Sequence, residues 1–148
     1  IFAAAIAVAT MFFKVPIIVG YIHLGDGLIF LSAAVLGPFA ALAAGIGSAL
    51  ADLMAGYFIY VPVTFGIKAI MAFVAAWGWR RHFNFFQTIC LYFLCEAFMV
   101  AGYFIFEWIL YGLETASVAI LFNCVQGMVG VMVGSILVSF FQRRMKGE

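Results

Sequence analysis

Charge is what this sequence has least of. Asp, Glu, Lys and Arg together make up 9% of the 148 residues against 68% hydrophobic ones, and the mean hydropathy is +1.24. Soluble domains carry about a quarter charged residues, so a water-soluble globule is excluded. Equally scarce is any polar stretch long enough to build a domain outside a membrane, because apolar runs recur along the whole length. The expectation is an all-α membrane protein with one transmembrane domain over residues 1–148.

Further absences narrow the chemistry. The chain has no GxxxxGK[ST] phosphate loop, so it carries no ATPase motif of its own. Its nearest Gly-rich run, Gly45-Ile46-Gly47-Ser48, follows no strand and reads as helix packing. There is no HExxH, no Ser/His/Asp order and no paired-carboxylate arrangement, so an enzyme is not expected. Cys90, Cys95 and Cys124 sit in apolar runs at spacings that match no metal site, and read as small core residues. No metal, no bound cofactor and no nucleic-acid partner are expected. The run at residues 1–13 reads as a first helix truncated at its start, not as a signal peptide, whose apolar region would precede a soluble protein.

Proline, glycine and charge punctuate what is there. Crossing a hydrocarbon core takes roughly 20 apolar residues. The punctuation predicts helices over 1–15, 26–38, 39–55, 62–79, 85–110 and 115–142, with Asp26 as an N-cap and Pro62 in a first turn. This is a compact bundle of six transmembrane helices. Five of seven basic residues fall in two places, Arg80 and Arg81, then Arg143, Arg144 and Lys146. With six crossings both places share one face, so the positive-inside rule predicts cytoplasmic N and C termini. The loops at 16–25, 56–61 and 111–114 then face outward and carry aromatic, His and acidic residues, which suggests a pocket opening outside.

Ionisable groups inside the hydrocarbon persist only where paired or functional. Asp52 lies four residues before Gly56 and Lys68 six after Pro62, so both sit roughly 6 to 9 Å below the outer surface. They are expected to form an ion pair, which either ties two helices together or contacts a ligand. Glu96, Tyr103 and Glu107 share one stripe of the fifth helix. Asn123 and Gln126 lie at a similar depth on the sixth, above Gly127, Gly130 and Gly134. Buried amides need partners, so Glu96, Asn123 and Gln126 either bond one another or converge on a polar small molecule; the additional carboxylate favours the molecule. Gly130 and Gly134 form a GxxxG that reads as packing, while Ala3, Ala5, Ala7 and Ala9 give the first helix a smooth surface suited to docking another membrane protein.

Four segments in order resemble a known family: Tyr21-Ile22-His23-Leu24-Gly25-Asp26; Leu36-Gly37-Pro38; Gly45-Ile46-Gly47-Ser48-Ala49-Leu50-Ala51-Asp52-Leu53-Met54-Ala55-Gly56-Tyr57; and Tyr60-Val61-Pro62-Val63-Thr64-Phe65-Gly66-Ile67-Lys68. Their order and spacing resemble the riboflavin-type branch of the S components, the substrate-binding membrane subunits of energy-coupling factor (ECF) vitamin transporters. The resemblance covers residues 21–72. It implies a multi-pass protein of a prokaryotic plasma membrane, six helices and an outward vitamin pocket. It also implies a transmembrane coupling subunit met through an AxxxA patch, here Ala3 with Ala7 and Ala5 with Ala9, and two ATPase subunits that use ATP.

The candidate substrate-binding residues are Tyr21, His23, Tyr57, Tyr60, Lys68, Glu96, Tyr103, Asn123 and Gln126. Tyrosines stack planar rings and offer a hydroxyl. One Lys and one Glu among amides favour a vitamin B6 form or a hydroxymethylpyrimidine-like compound. Pantothenate, an anion leaning on Lys68 or His23, and riboflavin are the alternatives. A different class, a structural subunit of a membrane complex, would need only the alanine and glycine surfaces.

Overall fold

The computed structural model describes residues 1–17 and 20–147, the side chain of Lys146 excepted. Its elements are α1 (Phe2–Phe12), β1 (Val15–Pro16), β2 (Tyr21–Ile22), α2 (Asp26–Leu36), a 3-10 turn at Gly37–Phe39, α3 (Ala40–Ala55), α4 (Val61–Arg80), α5 (Phe85–Tyr111) and α6 (Leu113–Lys146). Taking Asp26–Ala55 as one helical stretch, the described residues form five helices, and by length and composition alone four of them, Asp26–Ala55, Val61–Arg80, Phe85–Tyr111 and Leu113–Met145, are long and apolar enough to cross a membrane. α1, at 11 residues, is shorter.

The Asp26–Ala55 stretch is not straight. Thirty residues of unbroken helix would run about 45 Å. Yet the hydroxyl of Tyr21, which precedes α2, donates to Asp52 near the end of α3 at 2.7 Å. The chain therefore folds back between the two arms, at Gly37, whose φ of +59° suits a residue without Cβ, and at Pro38, which has no N–H to continue a helix. Each arm, at 11 and 16 residues, falls short of the roughly 20 needed for a full perpendicular crossing.

Three sequence expectations need correction. Residues 16–25 are not a plain loop: Val15 and Pro16 pair antiparallel with Ile22 and Tyr21 in a short β-hairpin, while residues 18 and 19 lie outside the described part. Asp26 is the first helical residue of α2 and Gly25 occupies the N-cap, so the carboxylate is free to turn inward. The expected loop 111–114 shrinks to Gly112, because α5 runs to Tyr111 and α6 begins at Leu113. α5 starts with a reciprocal capping box between Asn84 and Gln87.

Apolar side chains fill the core, with Ile6, Ile29, Phe30, Met71 and Met99 fully buried, and also cover the outside. Phe12, Phe39, Phe73, Leu94, Ile109, Leu121 and Ile136 are exposed, whereas Asp26, Lys68, Glu96, Glu107, Asn123 and Gln126 are buried. A surface so apolar matches hydrocarbon, and the interior keeps the polar groups that lipid cannot solvate. Small residues let the helices close on one another. A Cβ on Gly134 would lie 2.6 Å from the Phe30 ring, which seats α2 on α6, and Phe30 in turn stacks on Tyr92 with centroids 4.0 Å apart. On the other flank a Cβ on Gly47 would lie 2.5 Å from the Ala3 carbonyl, so α1 rests on α3.

That contact places the alanines of α1. Ala7 is buried and Ala3 packs on α3, so this pair is engaged inside the bundle, while Ala5 and Ala9 are half-buried and Val8 and Phe12 are exposed. At one end of the molecule Trp79 of α4 meets Phe141 of α6, with ring centroids 6.3 Å apart. The basic clusters at Arg80–Arg81 and Arg143–Arg144 therefore share that end.

Candidate functional site

At the other end, the β-hairpin and the nearby ends of α1, α3, α4 and α5, together with α6, surround a small cavity. Helical spacing builds its wall. Ser48 and Asp52 lie four apart on α3, as do Tyr60 and Thr64 at the start of α4 and Tyr103 and Glu107 on α5. Asn123 and Gln126, three apart, line it from α6. Thr10 of α1 and the segment at Gly20, Tyr21 and His23 close the ring, with Tyr57.

Four aromatic rings cluster here. Tyr57 lies 5.2 Å from Tyr21 and 6.1 Å from Tyr60, and Tyr60 lies 6.4 Å from Tyr103. Their hydroxyl protons are all engaged. Tyr21 donates to Asp52 Oδ1 (2.7 Å), Tyr57 to the Gly20 carbonyl (3.2 Å), Tyr60 to Glu107 Oε1 (3.3 Å) and Tyr103 to Thr64 Oγ1 (3.0 Å). Burial, followed by the neighbouring carboxylates, raises the pKa of Tyr21 and Tyr60, so both hydroxyls keep their protons. Asp52 Oδ2, Glu107 Oε2, Thr10 Oγ1 and Ser48 Oγ are buried and accept or donate no hydrogen bond among the described residues. Orphaned buried groups on a cavity wall mark where a polar guest is received.

Beneath the wall runs a second network. Lys68, fully buried, pairs with Asp26 Oδ1 at 2.5 Å, and Gln126 Nε2 donates to Asp26 Oδ2 at 2.7 Å. Gln126 Oε1 accepts the backbone N–H of His23 at 3.0 Å. The Gly25 N–H donates to His23 Nδ1, also at 3.0 Å, which leaves Nε2 to carry the ring proton. Burial is the main reason the His23 pKa falls to about 4, with the Asp26 carboxylate pulling the other way and Lys68 reinforcing it. The ring is therefore neutral at physiological pH.

Of the nine residues proposed from sequence, Tyr21, His23, Tyr57, Tyr60, Tyr103, Asn123 and Gln126 line the cavity. Lys68 and Glu96 do not. The expected Asp52–Lys68 pair is replaced by Asp26–Lys68, because Asp26 turns inward while Asp52 takes the Tyr21 hydroxyl. Glu96, Asn123 and Gln126 do not form the three-way network considered from sequence, since Gln126 is taken by Asp26 and His23. Glu96 is buried under the α6 glycines, where a Cβ on Gly127 would lie 3.0 Å from its own Cβ, and neither of its oxygens finds a partner among the described residues. Sequence reasoning missed Thr10, Ser48 and Thr64 as lining residues. The last two could have been found as the i±4 neighbours of Asp52 and Tyr60.

A family model described as "ECF-type riboflavin transporter, S component" matches residues 1–143. The chain belongs to that family. A comparison with curated proteins finds no match. S components are substrate-binding subunits of vitamin transporters and not ATPases; they work with an ECF T subunit and ATPase partners. With four apolar stretches long enough to cross, this S component is a multi-pass plasma-membrane protein engaged in vitamin uptake.

Proposed function

We propose that the cavity captures a small, planar, neutral or cationic heteroaromatic vitamin or precursor, of which vitamin B6 forms and hydroxymethylpyrimidine are the favoured members. One observation carries the reading: four tyrosine rings and two carboxylates with an unpartnered oxygen surround one cavity whose lining contains no Lys or Arg. Tyrosine faces stack a planar ring, and unpartnered carboxylate oxygens receive its amino or hydroxyl protons. An anion such as pantothenate would meet Asp52 and Glu107 with no lining cation to offset them. Lys68 is committed to Asp26, and Lys14 lies over the Tyr21 ring, 5.9 Å from its centroid, outside the lining. Riboflavin, the vitamin in the family description, is a second reading because it is also neutral and planar.

In this proposal the basic end is cytoplasmic and the cavity opens outward. The protein docks on the T subunit through the exposed side of α1, with Ala5 and Ala9 at its margin, and the ATPases drive release. Calorimetry on detergent-purified protein with pyridoxine, hydroxymethylpyrimidine, riboflavin and pantothenate tests the substrate class. Binding of a ring vitamin, weakened at least tenfold (about 1.4 kcal/mol) by Asp52→Asn or Glu107→Gln, is the expected result. Tight binding of pantothenate alone would overturn it.

A further inference from the structure

We infer that the cavity has a fixed hydrogen-bond polarity, a donor wall at His23 and Gln126 facing a set of acceptors that includes Asp52 and Glu107, and that the buried Asp26–Lys68 couple is the positioning pair that holds it. This deepens the reading of the cavity as a vitamin site and rests on it.

Gln126 sets the polarity of the donor wall. A side-chain amide can present either its oxygen or its NH₂ to a neighbour, and packing alone seldom decides which. Here two contacts decide it together. The His23 N–H demands the oxygen at 3.0 Å, and Asp26 Oδ2 demands the NH₂ at 2.7 Å. A flipped amide would set donor against donor and oxygen against carboxylate. Lys68 fixes Asp26 from its other oxygen, and both residues are fully buried, so no water relaxes the constraint. Gln126 therefore has one remaining N–H to offer, and its oxygen is taken.

His23 follows the same logic. With Nδ1 accepting from Gly25, its free nitrogen is a donor. The tyrosines are the reverse: all four hydroxyl protons are directed at protein acceptors, so each has only lone pairs left. Asp52 Oδ2 and Glu107 Oε2 are acceptors without partners. The preferred guest thus carries an acceptor edge, such as a ring nitrogen or carbonyl, for His23 and Gln126, and proton-bearing amino or hydroxyl groups for the carboxylates. A molecule with acceptors on both edges leaves the Asp52 and Glu107 lone pairs unpaired and can satisfy its second edge only at the Thr10, Ser48 or Thr64 hydroxyls or the Asn123 amide.

The test has a ligand-free arm and a binding arm. In ¹⁵N-histidine NMR of the His82→Gln protein, His23 is expected as the neutral Nε2–H form at pH 7; the Nδ1–H form or an imidazolium overturns the donor wall. For whichever of pyridoxine, hydroxymethylpyrimidine or riboflavin binds, calorimetry is repeated with an analogue in which a ring acceptor nitrogen is replaced by C–H. The wild type is expected to lose at least about tenfold in affinity. The double variant Asp26→Asn/Lys68→Met is expected to discriminate the two less than about threefold, because the amide at position 26 can turn either its oxygen or its NH₂ to Gln126, which leaves that side chain held by the His23 N–H alone. Unchanged discrimination in that variant, folded and monodisperse, overturns the positioning role while leaving the vitamin site intact. If that variant does not fold, Gln126→Met serves: it should weaken the parent compound but not the C–H analogue, and equal weakening of both overturns the inference. Failure of every ring probe to bind wild type overturns the site reading and the polarity with it.

Discussion

Replacing Lys68 with Met probes the interior most sharply. Lys68 and Asp26 are both fully buried, and among the described residues the ammonium is Asp26's one cationic partner, with Gln126 at 2.7 Å as its other donor. Removing one partner of such a pair leaves an uncompensated charge and costs about 3–5 kcal/mol. Removing both charges at similar volume, as in Asp26→Asn/Lys68→Met, is expected to recover most of that, to within about 1–2 kcal/mol of wild type, since buried pairs are often replaceable by neutral groups. The assay is reversible chemical unfolding in mixed micelles, followed by tryptophan fluorescence, on the four proteins of a double-mutant cycle. A parallel cycle with Asp52→Asn provides the contrast, because the depth argument from sequence paired Lys68 with Asp52. Coupling larger for Asp52 than for Asp26, or a Lys68→Met cost below about 1 kcal/mol, would refute the pairing.

Two other outcomes follow from the geometry. Gly134→Val is expected to destabilise by several kcal/mol or prevent folding, because a Cβ added there would lie 2.6 Å from the Phe30 ring; detergent-extracted yield and unfolding midpoint would show it, and a neutral result would mean that α2 does not rest on α6 there. His23 is held neutral with a pKa lowered to about 4, below its unfolded value of about 6.5. The unfolded chain therefore binds the proton first, so stability is full above about pH 6.5 and falls as pH moves from there toward about 4; His23→Gln should flatten that slope, and an unchanged slope would remove His23 as its source.

How much of this was legible in the sequence differs by level. The helices were readable because Pro38, Pro62, Gly25, Gly56 and Arg80–Arg81 interrupt otherwise continuous apolar runs, and boundaries fell within a few residues for α2 to α5. Depth was readable too, since rise per residue converts distance from a loop into ångströms. Rotation and lateral neighbours were not. Depth alone made Asp52 and Lys68 look paired, but only the inward turn of Asp26 at the start of a short helical arm shows which carboxylate Lys68 meets.

The site shows the same division. Tyr21, Tyr57 and Tyr60 are legible as candidates because a tyrosine stacks a planar ring and offers a hydroxyl, although aromatic residues also girdle membrane interfaces, whereas Thr10, Ser48 and Thr64 are small polar residues inside apolar runs and give little signal. The alanines of α1 were ambiguous in a different way. A small residue favours close approach without saying to what, and Ala3 turns out to approach Gly47 of the same chain.

The central claim is that the tyrosine- and carboxylate-lined cavity holds a small heteroaromatic nutrient. Native mass spectrometry of gently extracted protein tests it most directly. The prediction is a retained mass, identified on release as a ring-bearing vitamin or precursor, that disappears from the Glu107→Gln/Asp52→Asn protein while the polypeptide stays folded. A bare polypeptide mass that stays bare after incubation with each ring vitamin, or a retained molecule that survives the double substitution, would contradict it.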